Sequence, residues 1–229
     1  LLAAIIWCVG ITKNAAAEST VVGFVPEKIS DVEGNQFPCP AKLAGVRAGD
    51  KIISIDGRTP SDFQQIIELV AIGSGRTADG KPLAKLEVER DGKILNLDVP
   101  ARLIKTNPTT GDEIRMIGIS PAMRMFVGKI LENSPAKAAG LRDGDEVAEI
   151  DGQKLYSNAQ LGAYLDSLKD GTKTVLGVVR DGKKIEVTIT PKRVALTKEL
   201  LKIEAPAGDG AVSFILSNRQ NPNSKTGLP

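Results

Sequence analysis

The chain has 229 residues, enough for one large or two ordinary domains, with 30 Lys and Arg against 28 Asp and Glu. The net charge of +2 leaves no basic footprint for nucleic acid, and aromatic residues at 3% leave few rings to stack on bases. Histidine is absent, which excludes a Ser-His-Asp triad, a His-Glu-x-x-His zinc helix and histidine metal ligands within these residues.

From the amino end, Leu1 to Ile11 carries no charge and no polar side chain. At about 20 residues per bilayer crossing it is too short to span by itself. It reads either as the truncated end of a transmembrane helix, with Trp7 near the water interface, or as a buried first strand. Cys8 and Cys39 are too few for a zinc site of their own, and both are expected as free thiols, with a disulfide between them as the alternative. Lys13 to Ser19 is a polar connector, Thr20 to Val25 a strand, and Pro26 to Pro38 an acidic loop. A helix follows Gly57, with Thr59 or Ser61 as cap and Phe63, Ile66, Ile67 and Val70 on one face. Leu86 to Val99 is a hairpin turning at Asp91-Gly92. Ala101 to Asp112, with its Asn107-Pro108, reads as a domain boundary.

Beyond it, Arg115 to Pro121 is a strand-sized apolar segment broken by Gly118, and Phe126 to Leu131 a second strand. Ser157 caps a helix with Leu161, Tyr164, Leu165 and Leu168 in one stripe, and Asp181-Gly182 turns a closing hairpin. After Lys192 the pattern changes: a short helix over Ala195 to Ile203, one strand over Ala211 to Leu216, then a polar end.

The second half repeats the first. At an offset of 95, Pro40 to Gly57 and Pro135 to Gly152 share 11 of 18 residues, and Arg90-Asp-Gly-Lys93 matches Arg180-Asp-Gly-Lys183. Each copy begins with Pro at a helix N1 position, ends that helix at Gly45 or Gly140, and turns again at Gly-Asp and Asp-Gly around a strand. Because Asp50, Asp56, Asp145 and Asp151 recur at matched turns, they read as turn residues and not as acids or metal ligands.

Ser134-Pro-Ala-Lys-Ala-Ala-Gly-Leu-Arg-Asp-Gly-Asp145 and the following Ile150-Asp-Gly152 resemble the PDZ domain of bacterial proteases. The resemblance implies a mainly β fold with short helices (α+β), in two tandem partly open β-barrels, each with a capping helix. The expected bounds are a membrane-helix end over 1–12, domains over 13–106 and 113–193, and an extension over 194–229. The order of features resembles the extracytoplasmic segment of a site-2 protease, an intramembrane zinc metalloprotease. That likeness implies membrane attachment through the N-terminal segment, domains on the periplasmic side, and zinc in the parent enzyme only. No cofactor, metal site or catalytic residue is expected in these residues. The alternative is the periplasmic peptide-binding module of a Ser-protease chaperone or a scaffold protein.

Either way the expected ligand is an extended or C-terminal peptide added as a strand. By the family's apolar-Gly-apolar pattern, the peptide-binding residues are expected at Ile117, Gly118, Ile119 and Ser120, with Tyr164 on the facing helix of the second domain. The same segment also reads as a core strand with a bulge at Gly118. Under the groove reading, Gly118→Val is expected to block binding by the second domain and spare the fold. Val9-Gly10-Ile11 is the weaker counterpart for the first domain.

Overall fold

The computed structural model describes residues 19–128, 130, 134–191 and 211–212, the last two by their backbone alone. Leu1 to Ile11, with Cys8 and Val9-Gly10-Ile11, and the helix expected over Ala195 to Ile203 lie outside the described residues. The chain divides into two units, Lys13–Met123 and Arg124–Pro229, the second also taking in Leu1–Thr12.

The first unit runs β1 (Val22–Phe24), β2 (Lys28–Ser30), β3 (Gln36–Pro38), α1 (Pro40–Leu43), β4 (Lys51–Ile55), α2 (Phe63–Ile72), β5 (Leu83–Arg90), β6 (Lys93–Pro100), β7 (Arg102–Lys105), β8 (Glu113–Met116) and β9 (Ser120–Pro121). The sheet β4-β5-β6 is antiparallel. β1 lies beside β4 through the Val21–Lys51 bridge and the Val22 N–H to Asp50 carbonyl bond of 2.8 Å. β9 then pairs with β1. The stretch expected as an acidic loop is the hairpin β2–β3, and the expected boundary is the hairpin β7–β8.

The second unit runs β10 (Phe126–Val127), α3 (Pro135–Ala138), β11 (Glu146–Ile150), β12 (Gln153–Lys154), α4 (Asn158–Ser167), β13 (Thr174–Arg180), β14 (Lys183–Ile189) and β15 (Ala211–Val212). Its strand order β14-β13-β11-β10-β15 restates β6-β5-β4-β1-β9, and among the described residues neither sheet closes on itself.

Turn chemistry explains why the copies match. In four Asp-Gly pairs, Asp56-Gly57, Asp91-Gly92, Asp151-Gly152 and Asp181-Gly182, both residues have positive φ, for example Asp91 at 50° and Gly92 at 73°. That is the two-residue hairpin geometry which favours Asp-Gly. α2 is capped by Asp62, whose carboxylate accepts the Gln65 N–H at 2.8 Å, not by Thr59 or Ser61. Of its expected stripe, Phe63, Ile66 and Val70 are buried, whereas Ile67 is 45% exposed. In α4, Leu161 and Leu165 are buried, while Tyr164 and Leu168 pack on the core only in part.

Each unit has its own core. Ile52, Ile55, Ile66, Leu86, Val88 and Val99 centre the first; Met125, Val147, Ile150, Leu161, Leu176 and Val178 centre the second. Ile104 and Ile117 belong to the first core. Residues 113–123 were expected in the second domain; in the structure they pack with the first unit. Burying a side chain such as Ile117, which is 2% exposed, stabilises by about 1.5–3 kcal/mol, and that gain is made within the first core.

Candidate functional site

Ile117, Gly118, Ile119 and Ser120 therefore stand together in the first domain, in the turn from β8 into β9. Tyr164 lies on α4 of the second unit, so the nominated residues do not form one groove within a unit. Ile117 is buried and Ile119 packs on the same core. The Ile117 carbonyl accepts the Ala41 N–H at 2.8 Å. Cys39 stands at the α1 N-cap without capping that helix. Its thiol instead approaches the Gly118 carbonyl at 3.2 Å, and burial pushes its pKa up. Ser134, its counterpart, caps α3 through the Lys137 N–H.

Gly118 is the pivot. Its φ is +81°, and a β-carbon there would lie 2.6 Å from Cys39 Sγ and 2.7 Å from Ile29 Cγ2. Positive φ and the missing space both require glycine. The chain can then turn out of β8 and lay Ser120 opposite Phe24 in β9. β1 comes equally close from the other side, where a β-carbon on Gly23 would meet the Pro121 carbonyl oxygen at 2.1 Å. Within the described sheets β9 is an edge strand with one side paired. α2 packs on β8 next to it, and both elements show apolar side chains to solvent: Ile67 and Ile72 on α2, Ile114 on β8. An unpaired strand edge beside an apolar helix flank can take up an extended chain through its main-chain groups.

Arg115 is the residue that sequence reasoning passed over. It is 94% buried by its 6% exposure; its Nη2 donates to the Leu83 carbonyl at 2.6 Å, while Nε and Nη1 have no protein partner. Burial lowers its pKa, repulsion from Arg76 adds to that, and Asp56 opposes. The room it occupies is left by Gly73 at the end of α2, where a β-carbon would lie 2.6 Å from Nη1 and 3.0 Å from Asp56 Oδ2. A charged residue inside the otherwise apolar Ile114 to Ile119 run was the signal available.

In the second domain the matching turn is organised differently. Asp151 accepts Tyr164 Oη at 2.8 Å, Thr174 Oγ1 at 2.6 Å and the Val175 N–H at 2.7 Å. These bonds, Thr174 foremost, hold its pKa down, and the bond to Asp151 raises that of Tyr164. Tyr164 thus ties α4 to the turn after β11. Leu69 and Ala84 take the places of Tyr164 and Thr174 in the first repeat. Among the described residues no group of three or more His, Cys, Asp or Glu is placed to hold a metal, and no helix is long and apolar enough to cross a membrane.

Comparison with known proteins gives two family matches, both described as PDZ domain, at residues 38–78 and 104–190. The second match begins in β7 and so includes the strands that the structure assigns to the first unit. The chain is similar to a probable periplasmic serine endoprotease DegP-like of Pseudomonas savastanoi, 35% identical over 100 residues, covering 44% of this chain and 20% of that protein. It is also similar to the periplasmic pH-dependent serine endoprotease DegQ of Escherichia coli, 29% identical over 108 residues, covering 47% of this chain and 24% of that protein. The chain thus spans a quarter or less of the length of these relatives. A solved HtrA-type protease AlgW with decapeptide superposes with a TM-score of 0.29 at 16% identity, over 51% of this chain and 52% of that one. The relatives are serine endoproteases and not site-2 proteases, so the narrower family expected from the order of features is not the one they represent. Two family matches, a duplicated strand order and two helix-capped open sheets make the chain a tandem of two PDZ domains.

Proposed function

We propose that this tandem is the peptide-docking part of an extracytoplasmic protease system, and that it binds an extended or C-terminal protein segment without cutting it. The observation that carries the reading is β9: among the described residues an edge strand paired on one side, entered through the left-handed Gly118 and flanked by α2. The ligand adds to that edge by main-chain hydrogen bonds, and Ile67, Ile72 and Ile114 supply apolar contact. The DegP-like and DegQ relatives favour a role beside a periplasmic serine protease domain.

The test uses the whole chain and a fluorescent decapeptide with an apolar C terminus. Ile67→Glu with Ile114→Glu is expected to weaken binding by roughly tenfold, about 1.4 kcal/mol, with the melting temperature unchanged because both side chains are already solvent-facing. Equal affinity in the two proteins would remove β9 from the site.

A second reading, the substrate-selecting segment of a membrane-embedded zinc metalloprotease, is favoured by one feature, the uncharged run from Leu1 to Ile11. Genomic sequence flanking this chain separates the two. A Ser-His-Asp domain supports the first, and His-Glu-x-x-His in an apolar stretch supports the second.

A further inference from the structure

The two domains differ in how the outer edge of their central strand is covered. In the first, β9 lies antiparallel on β1, with Val22 opposite Pro121 and Phe24 opposite Ser120. In the second, β15 lies parallel on β10, with Phe126 opposite Ala211 and Val127 opposite Val212. The covering strand thus runs in opposite senses at equivalent places in the repeat.

Backbone alternation identifies the groups that β15 covers. The Val127 N–H donates to the Asp145 carbonyl at 2.7 Å, and the Met125 carbonyl accepts the Val147 N–H at 2.8 Å. Both point toward β11, so the N–H and C=O of Phe126 face the opposite edge. A parallel ladder is less stable per residue than an antiparallel one, and among the described residues Ala211 and Val212 are the part of it that covers β10.

We infer that Ala211–Val212 is a displaceable internal occupant of the second domain's strand edge. An extended peptide running antiparallel, as β9 does in the first domain, takes its place on Phe126. This deepens the peptide-docking reading by adding a second, self-covered edge, and it rests on that reading for the class of ligand.

The experiment compares the full chain with its Ala211→Pro/Val212→Pro variant, in which both N–H donors of β15 are gone. Amide exchange at Phe126 is expected to speed up at least tenfold in the variant, while Leu176 and Val178 in the core exchange as before. A labelled synthetic peptide with the sequence of residues 206–217 is then expected to bind the variant at least tenfold more tightly than the parent chain. Equal exchange at Phe126 overturns the cover; faster exchange with equal peptide capture overturns displacement. Failure of the decapeptide to bind β9 leaves both results readable, since Phe126 reports on the second domain alone.

Discussion

Asp50 and Asp145 show what a repeated turn residue does once the chain is folded. Arg90 Nε and Nη2 reach the two carboxylate oxygens of Asp50 at 2.6 and 2.7 Å, and Nη2 also donates to the Gly45 carbonyl at 2.7 Å. Arg180 does the same to Asp145 and Gly140, at 2.7, 2.7 and 2.9 Å. Asp145 further accepts the Arg142 N–H at 2.8 Å. The guanidinium therefore joins the end of the short helix, the turn and the closing hairpin. Arg180 chiefly, helped by the Arg142 N–H and opposed by burial, holds the Asp145 carboxyl below the usual range. A depressed carboxylate pKa contributes stability that is fully present above the unfolded value, about 3.9, and is lost as pH falls through the folded value. The melting temperature of the second domain is expected to fall on acidification below about pH 4, and Arg180→Met is expected to flatten that dependence. At neutral pH the same substitution strands a carboxylate that is 2% exposed. It is expected to cost about 3 kcal/mol, measured by urea denaturation.

At the scale of the element, the β8–β9 segment decides how the groove question resolves. Gly118→Val was expected to block binding in the second domain and spare the fold. The structure puts the substitution in the first domain's core, against Cys39 and Ile29 at a φ of +81°. Overpacking and left-handed strain each cost about 1–3 kcal/mol. Gly118→Val is therefore expected to destabilise the first domain by about 2–6 kcal/mol, seen as an earlier denaturant transition. Unchanged stability would show that the Ile117–Gly118 turn is not packed on Cys39. Gly118→Ala keeps the φ cost with less volume and is expected to fall between the two.

For the whole molecule, the boundary is the largest difference from expectation. Ile104 and Ile117 are in the first core, and β8 gives α2 a neighbour. A chain of residues 13–123 is expected to unfold cooperatively. One of residues 13–106 is expected to lose that cooperativity, because Ile117 and all of β8 and β9 are gone. Circular dichroism across a urea titration distinguishes them, and equal transitions in the two chains would return the boundary to the 106–113 region.

The residue order alone determined the duplication, the Asp-Gly turns at 56–57, 91–92, 151–152 and 181–182, the proline-started short helices and the amphipathic α2 and α4. All of these are set by interactions between near neighbours: positive φ at Asp-Gly, the missing N–H of proline at N1, apolar spacing of three and four. Ile117, Gly118, Ile119 and Ser120 were legible as a special segment for the same reason, since an apolar-Gly-apolar turn has a local signature. Tertiary structure alone decided which domain owns that segment. Strand pairing and core contact join residues far apart in the chain, and a segment lying between two similar domains carries no local mark of its partner. Only the fit of Ile117 beside Cys39 and of Pro121 beside Gly23 settles it for the first domain.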